Sequence, residues 1–508
     1  MQRVIETLRA GIAVALVGSA IGWAGEPPLA ATPREAVALA LADQNAAPAE
    51  AQPFLRYVWI PAWGDVDWIR AVNFGVNAAV SQNSVIVYPG RTASPFLVRW
   101  DLRILAPGEA PRRRLVANWE RLAATEPYFH ANRAGSGAAG RTQAAIVLAE
   151  HAGAGAIAQL AGQGATLVPI VRADWLLAKI LTTLDGGLYY TFAGVEASVD
   201  PKQTDQQKFL AALGADEERS KQLHGAQRAA LFRSAVTGKP RRIDVFHGIA
   251  GRAGTGLIAV THDIGDGDLD PTQDPLRNLL RFLDKAREVI AERPNGTHLF
   301  ALFNNFGKLQ QSVPDDVAAD HTIPAPHSRR LQPAISCIRC HGADDGFKPF
   351  TNDVGRLLGG RLDVFGEGAQ ISRLVDEEVA RLAEFYADDL AKPLRRARDD
   401  YETAVFRSAR AHVKDVSAKV AGIYAGYAFD QVTPAVACLE LGQEVDAAAA
   451  PATLERLWPP LAADETGLAP EDPMLAALKA AIPINRSQWE LVYADAALRA
   501  AIAGEARP

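Results

Sequence analysis

The chain of 508 residues is longer than one ordinary hydrophobic core requires, and its length predicts two or three domains. Its content of 48% apolar and 22% charged residues is typical of a soluble globular protein. The formal net charge of -6 argues against a nucleic-acid-binding protein, because such proteins bind by neutralising phosphates with basic residues.

The N-terminus has the three parts of an export signal. Arg3 and Arg9 form a basic start, a short apolar stretch follows (AGIAVALVGSAIGWA), and a small-x-small cleavage site ends at Ala24. A helix that spans a bilayer needs about 20 apolar residues, so a membrane anchor is the weaker interpretation. We therefore predict a signal peptide over residues 1–24, a periplasmic location and no membrane span after cleavage.

The next two segments predict a lead-in and a mixed domain. Residues 25–52 are rich in alanine and proline, which favours a linker or lead-in helix. Residues 53–320 predict a mixed α/β domain without the regular alternation of a doubly wound sheet. Its clearest element is the hairpin REVIAERPNGTHLFALFNNFGKL, with turns at Pro294-Asn295-Gly296 and Asn305-Phe306-Gly307. The segment FLVRWDLRIL alternates apolar and polar residues like one half-buried strand.

Two further patterns in this domain are weak motifs. The glycines of RAGSGAAGRT, residues 133–142, have the spacing of a dinucleotide-binding loop, but no apolar strand precedes them, and we predict a flexible loop. The acidic run from Asp266 to Asp274 resembles a calcium loop. Pro271 stands where such a loop requires glycine, and Arg277 stands where it requires glutamate. A solvated acidic turn is therefore the stronger interpretation.

The strongest chemical signal is the sequence CIRCH, which brings together Cys337, Cys340 and His341. Covalent haem needs this spacing, because two thiols add to the vinyl groups of one porphyrin while the histidine binds the iron. A zinc site would need more ligands, and Cys438 is the one other cysteine. A thioredoxin-like couple would follow a strand, whereas a proline-broken loop precedes this motif. A disulfide would leave the histidine unexplained.

We predict one covalent haem c in a segment that covers residues 321–365. The export signal favours this interpretation, because haem is attached to such motifs outside the cytoplasm. The sequence does not decide which group binds the other face of the iron: His321 and His327 in the preceding loop and Met474 near the C-terminus are the candidates, and a five-coordinate iron is the alternative. A second histidine would give a lower reduction potential than a methionine, since thioether ligation raises it.

Residues 370–505 predict a helical domain, because apolar positions recur at helical spacing between salt-bridging faces. Cys438 has apolar neighbours and is interpreted as a buried core residue. The whole chain is therefore predicted to be α+β: a mixed α/β N-terminal region with β-hairpins, a short c-type haem-binding segment and an all-α C-terminal domain.

The chain resembles a family of large secreted bacterial proteins that carry a single c-type haem motif and have no assigned catalytic activity. The resemblance covers the chain from about residue 170 to the C-terminus, and the Trp-rich start is similar more weakly. The matching stretches are RADWLLAKILTTLDGGLYYTFAGV, DPLRNLLRFLDKAREVIAERPNGTHLFALFNNFGKLQ, RLQPAISCIRCHGADDGFKPFTNDV and RSQWELVYADAALRA. The resemblance implies thioether roles for Cys337 and Cys340 and a proximal-ligand role for His341. It implies no distal ligand, because the methionine that follows the haem motif in some relatives is missing here.

Three functions are consistent with an exported protein that carries a single haem. The leading hypothesis is an electron carrier that exchanges electrons with a periplasmic donor or acceptor. The alternatives are a haem enzyme that acts on a small oxidant or substrate and a haem-based sensor or binding protein. No other catalytic constellation with its required context occurs in the sequence, so the chain is more readily interpreted as an electron-transfer protein than as a catalyst.

Overall fold

A computed structural model gives the fold of most of the chain. The residues it describes are 33–129 (apart from 62 and 124), 170–215, 226–246 (apart from 232, 233, 235–237 and 240), 256–264, 284–346 (apart from 315, 316, 322, 325, 326, 344 and 345), 380–386 (apart from 382, 383), 390–457 and 473–505. The predicted signal peptide, the glycine-rich loop and the acidic run from Asp266 to Asp274 lie outside these residues and stay predictions.

The first sheet has four strands in the order β2-β3-β1-β4. The strands are β1 (Leu55–Trp59), β2 (Gly90–Arg91), β3 (Leu97–Asp101) and β4 (Ile170–Arg172). β1 pairs antiparallel with β3 and parallel with β4, so the sheet is mixed. All five residues of β1 are buried, as expected for a central strand covered on both faces.

The second sheet is a six-stranded antiparallel meander in the order β10-β9-β8-β7-β6-β5. Its strands are β5 (Gln227–Leu231), β6 (Arg241–Phe246), β7 (Ile258–Asp263), β8 (Ala286–Glu292), β9 (His298–Asn304) and β10 (Leu309–Gln310). Consecutive strands are neighbours throughout, so residues distant in sequence meet on one face of this sheet. One of these faces carries the site described below.

The hairpin predicted from the sequence is confirmed as β8 and β9. The turn between the strands contains Gly296 at φ 84°, a left-handed conformation that favours glycine, and Gly307 has φ 68° in the next turn. The side chain of Arg293 donates to the carbonyl of Ala78 at 2.9 Å, and Asn295 Nδ2 donates to the carbonyl of Asn77 at 3.1 Å. The turn of the second sheet is thereby fixed to the segment between β1 and β2 of the first sheet.

The helices of the described residues are numbered in chain order. They are α1 (Pro33–Ala46), α2 (Val66–Gly75), α3 (Leu102–Leu105), α4 (Glu109–Ala123), α5 (Ala173–Ile180), α6 (Tyr189–Ala193), α7 (Asp205–Ala212), α8 (Ile335–Ala343), α9 (Ala391–Ala409), α10 (Val413–Ala428), α11 (Pro434–Glu440), α12 (Ala450–Leu457), α13 (Pro473–Lys479) and α14 (Arg486–Glu505), with a 3₁₀ turn at Gln52–Phe54 and a π-helix at Val76–Val80. In the part of the chain with described structure, none of these helices is both long and apolar enough to cross a bilayer.

The described part of the C-terminal region is helical, and the α+β class is confirmed. In α9 the buried positions Leu394, Ala397, Tyr401 and Val405 recur at helical spacing, which explains why this charged segment packs as a helix. Helix α10 contacts α2, α5 and α8, so the C-terminal helices share one continuous core with the N-terminal elements. The division into domains at about residue 370 stays a prediction.

One strand is shorter than its sequence pattern indicates. The alternating segment FLVRWDLRIL was expected to form one strand, but the strand ends at Asp101. The Asp101 carboxylate accepts a hydrogen bond from the backbone N–H of Arg103 and caps the short helix α3. A side-chain cap therefore overrides the alternating pattern in the second half of the segment.

Candidate haem site

Helix α8 places the two thiols and the imidazole of the CIRCH motif on one face. Cys340 and His341 follow Cys337 by three and four residues, the spacing of neighbours on a helix surface. The helix begins directly after Pro333 and Ala334, and Ala334 has φ 65°. A turn rather than a strand therefore leads into the motif, as the sequence predicts, which disfavours a thioredoxin-like arrangement.

A close contact with α10 fixes the orientation of α8. Gly342 lies against Ser417, and a Cβ at Gly342 would overlap the Oγ and Cβ of that serine. On the same helix Ile335 and Ile338 are buried in the core. The absence of a side chain at Gly342 thus lets α8 approach α10 closely, and this approach determines which way the cysteines point.

We expect Gly342→Ala to lower the free energy of unfolding by about 1–3 kcal/mol, because overpacking forces the two helices apart. Urea denaturation followed by circular dichroism measures the change. Gly422→Ala in α10 is the matched control, since a Cβ there meets no atom within 4 Å, and it should be neutral or stabilising. If Ser417→Gly in the same chain did not recover part of the loss, the overlap would not be its cause.

The motif opens into a cavity between α8, the second sheet and the loop that joins them. The cavity has about 620 Å³ of empty space, and this volume includes space open to solvent. Its walls combine apolar residues with two arginines and two carboxylates from the sheet. The lining residues are Arg241, Asp263, Ala286, Arg287, Glu288, Leu302, Val313, Val317, Ala318, Leu331, Gln332, Ser336, Cys337, Cys340 and His341.

The two arginines are held in place by carboxylates. Arg241 Nε donates to Asp263 Oδ1 at 2.6 Å. Arg287 pairs with Asp284 and also donates to Gln206 Oε1 at 2.9 Å. Guanidinium groups bind carboxylates through paired hydrogen bonds, so these arginines suit the propionates of a porphyrin. Their fixed positions mean that little side-chain freedom would be lost on binding.

Both thiols of the motif are protonated at neutral pH. Burial raises the pKa of Cys337 well above its usual range, and the neighbouring Glu288 raises it further. Cys340 lines the cavity and is exposed as a residue, but burial of its thiol still raises its pKa. Redox-active cysteines need a lowered pKa, because the thiolate is the reactive form. This environment suits thiols that become thioethers better than a redox couple.

His341 is oriented by two contacts. Its ring stacks on Phe300 of β9 with the centroids 6.1 Å apart, and its Nδ1 lies 3.4 Å from the carbonyl oxygen of Gly346. In the tautomer that donates from Nδ1 to this carbonyl, Nε2 is the ring nitrogen with the acceptor lone pair, which is the form that a metal ligand requires. The residues present therefore fit a haem, because the cavity combines a thiol pair, an imidazole, apolar side chains and cationic groups.

His298 was not predicted from the sequence; like His341 it contacts Phe300, but it does not line the cavity. It is 2% exposed in β9, stacks on Tyr401 at 4.1 Å and meets the ring of Phe300 edge-on at 6.1 Å. Burial and the nearby His341 hold the pKa of His298 well below its usual value, so the ring is neutral. No sequence pattern distinguishes His298, because a histidine next to a hairpin turn indicates only the end of a strand.

The three predicted distal candidates occupy other places. His321 is exposed, and the ring of His327 lies 4.8 Å from that of Phe429 at the end of α10. Met474 in α13 packs against the core, far along the chain from the motif. None of the three is among the described residues that line the cavity. The distal ligand stays a prediction.

Neither metal-binding groups of side chains nor comparisons with known proteins add a residue to the site. No group of three or more His, Cys, Asp or Glu side chains suited to a metal ion occurs among the residues with described positions. An iron held by a porphyrin needs only its axial ligands from the protein. No protein-family model, curated protein or solved structure matches the chain.

Proposed function

We propose that this chain is an exported c-type cytochrome that carries one covalent haem and exchanges electrons with a periplasmic partner. The convergence of Cys337, Cys340 and His341 on one cavity is the observation that supports the proposal most. The haem, when bound, supplies an iron that alternates between Fe(II) and Fe(III). Membership of the secreted mono-haem family that the sequence resembles is part of this proposal.

In this function the residues of the chain have separate roles. Cys337 and Cys340 would hold the porphyrin through thioether bonds, and His341 would bind the iron while the carbonyl of Gly346 orients its ring. Arg241 and Arg287 would supply positive charge for the propionates. The apolar residues of the cavity would limit the contact of the haem with water and so lower the local dielectric constant. The dielectric constant influences the relative stability of Fe(II) and Fe(III), which differ by one charge.

Absorption spectra of the purified exported protein test the proposal. We expect a covalent haem with a low-spin spectrum in both redox states that carbon monoxide does not change, because an electron carrier keeps both axial positions of the iron filled. A high-spin spectrum that responds to carbon monoxide would contradict electron transfer and favour the enzyme or sensor alternative. A colourless protein would contradict haem binding altogether.

A further inference from the structure

Glu288 is the carboxylate that accepts a hydrogen bond from Cys337, one of the two predicted thioether sites. It lies in β8 on the cavity face, and Cys337 Sγ donates a hydrogen bond to its Oε1 at 3.2 Å. Among the described residues, this is the one hydrogen bond that the Glu288 side chain makes. Its carboxylate is partly buried, so water screens its charge less than at an exposed position.

Neither arginine of the cavity forms its ion pair with Glu288. Arg241 pairs with Asp263 at 2.6 Å, and Arg287 pairs with Asp284 in the loop before β8. No ion pair joins Glu288 to a cation within the part of the chain that the structure describes. The Glu288 carboxylate therefore interacts with a thiol hydrogen rather than with a positively charged group.

Attachment of the haem would remove that hydrogen from its place. When the Cys337 thiol adds across a vinyl group, sulfur bonds to one vinyl carbon and the thiol hydrogen is transferred to the other. No electrons are gained or lost, and no group leaves. Cys337 then has no S–H to donate, and the Glu288 carboxylate remains beside the sulfur at the edge of the porphyrin.

We propose that Glu288 lowers the reduction potential of the haem by stabilising the Fe(III) state. This inference rests on the proposed function. Fe(III) carries one more positive charge than Fe(II), and a carboxylate close to the porphyrin in a region of low dielectric attracts it more strongly. Charge and burial near the cofactor are among the means by which a protein sets a haem potential. Glu288 acts through the porphyrin edge and is not an iron ligand.

Glu288→Gln removes the charge and keeps the shape and a hydrogen-bond acceptor. In equilibrium with one redox mediator, we expect the Fe(II)/Fe(III) ratio of this variant to exceed that of the parent at least tenfold, which is a rise in potential of about 59 mV for one electron. Glu288→Asp, which retains the charge, should stay close to the parent. Glu109→Gln is the control for net charge, because this acid is exposed on α4 and does not line the cavity.

The outcomes separate this inference from the proposed function. A covalent haem whose potential in Glu288→Gln equals that of Glu109→Gln, or falls, would overturn the role of Glu288 and leave haem binding intact. A parent protein without covalent haem would overturn both. If Glu288→Gln did not retain haem, the smaller uncharged variant Glu288→Ser would report the same potential difference, with circular dichroism to establish its fold.

Discussion

Replacing Cys337 and Cys340 together with alanine should abolish the haem that survives denaturing electrophoresis. Alanine has no sulfur to form a thioether, so any remaining haem would be held only through His341 and the cavity walls. Haem staining of the gel and the intact mass of the protein measure the loss. Because Cys340 is exposed and alanine fills most of the volume of Cys337, the chain itself should still fold.

The third cysteine provides the matched control. Cys438 is fully buried in α11 and lies outside the cavity, so Cys438→Ala should keep a full complement of covalent haem. Haem that resists denaturation in the double variant would refute the thioether assignment. An equal loss of haem in Cys438→Ala would show that folding rather than attachment had failed. Zinc in the purified parent, in place of iron, would support the zinc interpretation of the motif.

Local signals explain the parts of the fold that the sequence predicts well. The hairpin around Pro294-Asn295-Gly296 is confirmed because a left-handed turn between two β-rich runs is encoded within a few residues. The helical C-terminal region is predicted for the same reason, since periodicity within α9 already defines its buried face. The length of a strand is harder to predict, because a single capping side chain, that of Asp101, ends β3.

The cavity could not be predicted in the same way, because its residues come from separate strands. Arg241 belongs to β6, Asp263 to β7 and Glu288 to β8, and they share one face only through the register of the antiparallel sheet. The motif from Cys337 to His341 predicts haem chemistry from five residues. It contains no information on which carboxylates and arginines share the cavity with it. Those partners follow from tertiary packing alone.

A buried charge network links the C-terminal helices to the first sheet, and it has the same non-local origin. Glu440 at the end of α11 accepts hydrogen bonds from Arg486 at 2.6 Å and from Trp489 at 2.7 Å, and it pairs with Arg172 of β4 at 2.9 Å. The guanidinium of Arg172 lies 3.5 Å above the ring of Tyr128. Segments more than 250 residues apart in the sequence therefore meet at one carboxylate.

Glu440→Gln should lower the free energy of unfolding by about 3–5 kcal/mol, because it removes the anion that pairs with the buried Arg486 and leaves Arg172 with Asp174 as its remaining buried anion. Burial alone would raise the pKa of Glu440, but Arg172 and Arg486 outweigh it and hold that pKa below its usual value. The carboxylate's contribution is thus complete above the unfolded-state pKa of about 4.3 and is lost as the pH falls through the folded value.

Urea denaturation at neutral pH and again in acid measures both effects of Glu440→Gln. The deficit of the variant should be large at pH 7 and should shrink once the pH is low enough to protonate Glu440 in the parent. Glu455→Gln on the exposed face of α12 is the control and should change stability by less than about 0.5 kcal/mol. If the deficit at pH 7 were no larger than that of the control, the two guanidinium groups would have to be neutralised by other groups. The carboxylate would then not be what joins the helical region to the first sheet.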